Sequence, residues 1–345
     1  KMKRLEIQSS IGKSEIFVGE TLTNVSQYLP KTGKIAIITD PVIHKLYGDK
    51  FPKADIVIEI PQGESNKCLQ SLDVIFEQLI EAEFDRSSFI LGIGGGIVCD
   101  MSGFIATIFM RGVQFGFVST TLLGQVDASV GGKNGVNFRG IKNIIGTFNL
   151  PKFVICELEI LKSLPQEELL SGMGEVVKYG AIYSESLFSY IESHIQEIKN
   201  FSLDVLENLV YESVVIKAKI VSQDARESGL RRIFNFGHTF GHAIEKITHL
   251  PHGCAVSVGM VYAAKLSVLK GKMKESDCAR LITLLSNLGM PISCNVDGSE
   301  LLKLMKSDKK REGNGVHFVY LTGIGACSVE KITYDELERV VNDLR

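Results

Sequence analysis

Short apolar runs alternate with helical periodicities through the first half of the chain. Residues 34–40 and 55–60 are brief runs rich in β-branched side chains, with an amphipathic stretch from Asp40 to Phe51 between them. From Ser71 to Phe84, the apolar residues Leu72, Ile75, Phe76, Leu79 and Ile80 fall at helical spacing. The run 88–93 has the character of a buried strand and passes directly into Gly94, Gly95 and Gly96. Strand, helix, strand, helix, strand and glycine turn is the order that builds a parallel sheet covered by helices. After Pro165 the period lengthens. Helical patterns run over 167–200, 202–224, 237–247, 256–270 and 276–288, followed by one late strand at 316–321 and a closing helix from Tyr334. The pattern predicts an α/β domain with a parallel sheet over residues 1–164 and a mainly α-helical domain over 165–345. A cleft between two such domains is the expected place for a ligand.

Composition narrows the class. A chain of 345 residues with 45% apolar side chains suits two globular domains better than one core. Its 38 basic and 40 acidic side chains leave a net charge of −2, without the basic excess of a nucleic-acid binder, so any anion site must be built locally. The seven cysteines include no C-x-x-C pair and sit mostly in apolar runs, which reads as reduced, small hydrophobic residues. Lys1, Met2, Lys3 and Arg4 are followed by no apolar signal-type segment, and no uninterrupted apolar run has membrane-spanning length. A cytoplasmic protein, acting on neither membranes nor nucleic acid, is expected.

Three constellations carry chemistry. Between Gly92 and Asp100 a strand ends in glycines, where backbone amides approach a pyrophosphate and the following helix adds its positive end. The spacing is not the usual G-x-G-x-x-G, and a glycine turn is also simply a turn. Asp40, at an earlier strand end, suits ribose hydroxyls. The stretch from Ser119 to Lys133, followed by Lys142 and Asn143, gathers hydroxyls, Asp127, paired glycines and lysines, a set suited to phosphate or carboxylate. Finally, five of the seven histidines lie between 194 and 252. His238 and His242 are four apart, one helical turn, which suits joint coordination of a zinc-like ion, with Glu175 as a third ligand; ordinary surface and core histidines are the alternative. Dinucleotide, metal and anion-binding bases together point to oxidation of an alcohol on a charged substrate.

At these residues the chain resembles the 3-dehydroquinate synthase family of sugar-phosphate cyclases. The resemblance runs through Gly94 to Asp100, Arg111 to Val113, Thr120 to Leu123, Asp127 to Lys133, Lys142 and Asn143, Gly174 to Lys178, Lys217 and Ala218, Asn235 to His242, His252 and Gly253, and Asp308 to Lys310. It implies an N-terminal Rossmann-like α/β domain with a parallel sheet and a mainly helical C-terminal metal-binding domain. It implies that NAD is held by Asp40, Glu64, Lys67, Gly95, Gly96, Ile97, Asp100, Thr120, Thr121 and Leu123, with Lys142, Ser163 and Leu164 extending the lining and Asp127 and Lys133 beside it. Glu175, His238 and His252 match the ligands of a divalent metal, zinc or cobalt. His242 then belongs to the site without being a ligand. Asp127, Lys133, Asn143, Lys178, Lys217, Arg231 and Asn235 match residues around a small sugar-acid phosphate substrate, joined by Lys309 or Lys310.

The implied reaction converts 3-deoxy-D-arabino-heptulosonate 7-phosphate to 3-dehydroquinate and phosphate. NAD transiently oxidises a ring hydroxyl, phosphate is eliminated, hydride returns to the same carbon, and ring opening and aldol closure follow. The net change is that of a lyase in the shikimate pathway, and a homodimer is implied. Four positions depart from the family's usual pattern: Val42, Cys99, Ser119 and Asn134. Three other readings stand beside it: a sister cyclase making an aminocyclitol or valiolone precursor, a metal-dependent polyol dehydrogenase, and a non-catalytic NAD-binding regulator. Arg231, Asn235, His242 and the run Asp308 to Lys310 favour dehydroquinate synthase over a sister enzyme.

Overall fold

The computed structural model describes residues 2–307 and 314–344, and they form two compact units. The first comprises Lys1–Leu164 and Leu206–Arg226, the second Pro165–Val205 and Glu227–Arg345. A single cut after residue 164 therefore misses one feature: most of the long helix at Leu203–Gln223, expected in the helical domain, packs with the α/β unit.

The first unit is built on nine strands: β1 (Lys3–Ser9), β2 (Gly12–Val18), β3 (Ile35–Thr39), β4 (Ile56–Glu59), β5 (Phe89–Gly94), β6 (Gln114–Ser119), β7 (Lys133–Phe138), β8 (Ile141–Phe148) and β9 (Phe153–Cys156). Seven of them make one sheet in the order β1-β2-β9-β6-β5-β3-β4. Every pairing is parallel except β1 with β2, so the expected parallel sheet carries an antiparallel edge hairpin. That hairpin escapes a search for apolar runs, because residues 3–9 alternate charged and apolar positions and leave most of them in solvent. One face of the sheet packs Phe89, Leu91 and Ile93 of β5 with Ile37, Val118, Phe153 and Ile155. The opposite face receives α3 (Gly96–Ile108), the third helix after α1 (Pro41–Tyr47) and α2 (Leu69–Glu81). A side chain at Gly92 would lie 2.9 Å from the Ser102 hydroxyl, and one at Gly103 2.0 Å from Asn134 Oδ1. Small residues thus let α3 approach both β5 and the β7–β8 hairpin. The hairpin turns through Arg139 and Gly140, with φ of 49° and 74°, the left-handed pair of a two-residue type I′ turn.

The second unit is mainly helical: α4 (Gln166–Tyr183), α5 (Glu185–Ser193), α6 (Ile195–Lys199), α8 (His238–Thr248), α9 (His252–Leu269), α10 (Glu275–Leu288), α11 (Gly298–Ser307) and α12 (Tyr334–Leu344). The helix shared with the first unit, Leu203–Gln223, is α7. A small antiparallel pair, β10 (Gly315–Gly323) and β11 (Ala326–Thr333), completes it. The stretch 167–200, periodic throughout, breaks at Ser184, whose hydroxyl caps α5 by accepting from the Leu187 amide at 3.2 Å. Helix α9 is long and apolar enough to cross a membrane, yet 78% of its apolar window is buried inside the protein. It is apolar all round because helices and β10 surround it.

Candidate active site

Parallel strands end on the same edge of a sheet, so β3, β5 and β6 bring Asp40, Gly94 and Ser119 to one side of the first unit. Asp40 caps α1: its Oδ1 accepts from the Val42 and Ile43 amides at 2.9 and 3.1 Å, and from Gln62 Nε2 at 3.3 Å. The glycine turn is tightly enclosed. A Cβ on Gly94 would meet Val98 at 2.6 Å, one on Gly95 would meet Thr121 at 2.9 Å, and one on Gly96 would meet Ala128 at 3.2 Å. The N-cap residue of α3, Gly95, brings no side chain to cap it, and the leading amides lie at the positive end of the helix dipole. Ile97 sits half-buried in that turn. The Thr120 amide donates to the Gly94 carbonyl at 3.0 Å, and Thr121 Oγ1 accepts from the Gly124 amide at 3.0 Å. Next to Leu123, residues Gly124–Ala128 form a π-helical turn, closed by the Ser129 amide on the Gly124 carbonyl at 2.9 Å.

That turn presents Asp127 to Lys217, which donates to the Asp127 carbonyl and carboxylate, each at 2.5 Å. Lys217 comes from the α7 segment that belongs to the first unit, which corrects its expected placement in the helical domain. Lys67, 5% exposed, donates to Asp100 Oδ2 and to Asn143 Oδ1, each at 2.5 Å. Burial pushes the Asp100 carboxyl up, against the attraction of Lys67 that pulls it down. Glu64 accepts from Asn137 at 2.7 Å and has Lys142 at 4.0 Å. Lys133 is exposed at the start of β7. Ser163 turns its hydroxyl onto the Ile160 carbonyl at 2.8 Å, just before Leu164.

In the second unit, three side chains converge. Glu175, Glu-bearing α4's fully buried carboxylate, meets His238 Nε2 at 3.3 Å and His252 Nε2 at 3.5 Å, both through Oε1. One ligand atom from each lies within 4.8 Å of the others. The histidines are oriented from behind: His238 Nδ1 faces the Phe236 carbonyl at 3.1 Å, and His252 Nδ1 faces Glu245 Oε2 at 3.2 Å. Such partners turn the remaining ring nitrogen, as a lone pair, toward a metal. Lys178, one turn along α4 and 1% exposed, pairs with Glu175 Oε2. Both Glu175 oxygens are within ion-pair distance of cations, but neither accepts a well-directed hydrogen bond. A buried carboxylate whose oxygens take no well-directed hydrogen bond, beside two imidazoles, fits a divalent cation.

The charges follow from this packing. Burial would raise the Glu175 carboxyl, but Lys178 and the histidines outweigh it and hold it well below the usual range. Burial, with Lys178, lowers His238 to about 3. Burial also lowers His252, but Glu175 and Glu245 overcome it and raise it to about 9. The two imidazoles are therefore not equivalent.

Glycines bring the three together. Gly253, beside His252, lies so close to α4 that a Cβ there would be 1.9 Å from the Ser171 carbonyl oxygen; one on Gly174 would be 2.6 Å from the Gly253 oxygen. Gly259 meets the Gly237 carbonyl at 2.0 Å in the same way, joining α9 to the start of α8. The cluster of ligand-capable atoms comprises Glu175, His238 and His252, and the one-turn pairing of His238 with His242 is not part of it. The His242 ring stands edge-on to His238 with centroids 5.2 Å apart, and 6.1 Å from His252. Arg231 is 2% exposed in the turn before α8, where Asn235 donates to Glu227 at 2.7 Å. Lys309 and Lys310 lie outside the described residues. Pattern reading gave no role to Glu245, near the end of the helix before His252, or to Asn137, which stands in no recognisable motif; only packing reveals either.

Comparison with known proteins agrees across the chain. Residues 57–171 match the profile described as 3-dehydroquinate synthase N-terminal, and 172–311 the one described as 3-dehydroquinate synthase C-terminal. The 3-dehydroquinate synthase of Pelobacter propionicus is 40% identical, covering 89% of this chain and 88% of its own. Among solved structures, a 2-deoxy-scyllo-inosose synthase complexed with carbaglucose-6-phosphate, NAD+ and Co2+ superposes with a TM-score of 0.89 at 26% identity, covering 99% of this chain and all of that one. A 2-epi-5-epi-valiolone synthase from Streptomyces hygroscopicus, with NAD+ and Zn2+ bound, shares the fold, with a TM-score of 0.87 at 22% identity, 99% of this chain and 97% of its own.

Proposed function

The chain belongs to the 3-dehydroquinate synthase family, and from that premise we propose that it is a phosphate-eliminating cyclase, working with NAD and one divalent metal, that forms 3-dehydroquinate from 3-deoxy-D-arabino-heptulosonate 7-phosphate. The observation that carries this reading is Glu175, a fully buried carboxylate without a well-directed hydrogen bond, facing two imidazoles oriented from behind. Identity to the dehydroquinate synthases exceeds identity to the sister cyclases, which favours the heptulosonate as substrate.

Bound NAD would supply a reversible hydride acceptor, and zinc or cobalt a Lewis acid for the substrate's oxygens. The uncapped α3 amides, behind Gly94, Gly95 and Gly96, suit the pyrophosphate, and Asp40 the ribose. Glu64, Lys67, Asp100, Thr120, Thr121, Leu123, Lys142, Ser163 and Leu164 complete this reading of the cofactor side. Glu175, His238 and His252 would hold the metal. Lys133 and Lys217 of the first unit, and Lys178 and Arg231 of the second, would supply cationic charge for phosphate and carboxylate, with Asp127 and Asn143 belonging to the first set and Asn235 and His242 to the second. Since the protein's net charge is −2, this local basic set does the work of attracting a multiply charged anion. The residues orient and neutralise more than they react. Seven unpaired cysteines suit the reducing cytoplasm, and a homodimer belongs to the same reading.

The deciding assay is phosphate release from the heptulosonate phosphate, with absorbance at the NADH band recorded in parallel. Stoichiometric phosphate with no accumulated NADH is expected. Continuous NADH production would instead make this a net dehydrogenase, and absence of turnover with NAD and metal present would reject catalysis.

Metal binding should also report on His252. Held at about 9 in the metal-free protein, it carries a proton at pH 7, whereas His238, at about 3, does not. Coordination requires the neutral imidazole, so binding at pH 7 should release close to one proton. Affinity should climb by about tenfold per pH unit toward pH 9 and then level off. Calorimetry of zinc binding in buffers of different ionisation enthalpy checks this. Affinity that levels off already near pH 6.5 would show that Glu245 does not hold that proton.

A further inference from the structure

The β7–β8 hairpin contains an irregularity that side-chain chemistry explains. Val136 pairs with Ile145 and Phe138 with Ile141, so Asn137 alone faces Lys142, Asn143 and Ile144. Asn143 accommodates the excess by taking a left-handed backbone, φ 50°, which asparagine tolerates better than most residues. Its amide then points at Asn137 Oδ1, to which it donates at 2.8 Å. Asn137 Nδ2 donates to Glu64 at 2.7 Å, and the Asn137 amide donates to the Lys67 carbonyl at 2.8 Å.

The direction of each bond is fixed by what the end groups can do. A carboxylate only accepts, so Glu64 requires the NH2 of Asn137 and leaves its oxygen for the Asn143 amide. An ammonium only donates, so Lys67, at 2.5 Å, requires the oxygen of Asn143 and turns the Asn143 NH2 away. The NH2 of Asn143 thus takes no part in this network.

We propose that Asn137 is a positioning residue: it locks Asn143 in its left-handed bulge, with the Asn143 NH2 presented to an anionic oxygen of the substrate, and couples that geometry to Glu64. This rests on the reading above that Asn143 meets substrate and Glu64 the cofactor side. Without Asn137, the Asn143 amide loses its acceptor and the bulge relaxes.

The test measures kcat and KM by phosphate release, NAD affinity by fluorescence, and melting temperature. Asn137→Ala should lower kcat/KM by about tenfold, the worth of one hydrogen bond in a charged network. In an Asn143→Ala background at saturating NAD the same change should cost less than about twofold, because the effect of Asn137 on the substrate side runs through Asn143. Additive losses would overturn the proposal. Reversing the polarity supplies the second arm, which holds even if Asn137→Ala folds poorly. Asn137→Asp places two carboxylates face to face and should lose activity. Glu64→Gln with Asn137→Asp, in which glutamine now donates to aspartate, should recover to near the level of Glu64→Gln alone; failure to recover would overturn it. Should Asn143→Ala keep full kcat/KM, the underlying assignment of Asn143 falls and the proposal with it.

Discussion

Glu175→Gln is expected to lose stoichiometric metal and, with it, turnover. The glutamine has the same shape but carries no charge, so one of three ligands becomes a weakly donating amide. It also strands Lys178, which is 1% exposed and lies 5.2 and 5.6 Å from the rings of Tyr179 and Phe234. Removing one partner of a buried ion pair leaves a desolvated charge and costs about 3–5 kcal/mol of stability. A second substitution separates the two effects. Glu175→Gln combined with Lys178→Met removes the stranded charge, and replacing a whole buried pair by neutral groups is often nearly neutral. The double variant should regain most of the lost stability while staying without metal and inactive. Metal content, melting temperature and phosphate release measured on the three proteins check this. Wild-type metal content and rate in Glu175→Gln would show that Glu175 is not a ligand.

Gly253→Ala should damage the second unit as severely, although alanine is a better helix former than glycine. Its methyl carbon would sit 1.9 Å from the Ser171 carbonyl oxygen and 2.8 Å from the Ser171 Cα. Those are backbone atoms within α4, so relief requires the whole of α4 and α9 to move apart. Overpacking of this kind costs about 3 kcal/mol or more, where no flexible side chain is present to yield. The same movement carries His252 away from Glu175, so any folded fraction should bind zinc at least about tenfold more weakly. Thermal melts and zinc titrations measure both consequences. A variant with the wild-type melting temperature and zinc affinity would mean that the two helices are free to separate without cost.

Strands β3, β4 and β5 and the principal helices of the second unit were legible because their apolar positions repeat with the period of the element. The misses share one cause, the dependence of a segment on its partners. Residues 3–9 alternate polar and apolar positions with only one of them buried, so a search for apolar runs passes over this edge strand. The 119–133 stretch was legible as polar and glycine-rich, whereas the π-helical turn that aims Asp127 at Lys217 follows from a hydrogen bond, Ser129 to Gly124, that composition does not encode. Similarly, α9 begins at His252, ahead of the expected 256, because Pro251 opens it and Gly253 allows the close crossing with α4.

The metal site divides in the same way. Helical period placed His238 and His242 on one face, and the one-turn spacing selected that pair. Resemblance to the family pointed to His252 instead, and the structure gathers His252 with Glu175 and His238. Sequence by itself determined the residue types, the clustering of histidines and the glycines that permit close approach, because these are local properties of the chain. Only the tertiary structure decided which imidazole meets Glu175, that Glu245 and the Phe236 carbonyl orient the two rings, and that Lys178 offsets the buried charge. Those outcomes depend on the crossing of α4, α8 and α9, where contacts between residues 171 and 253 and between 237 and 259 set distances that no periodicity along one helix can specify.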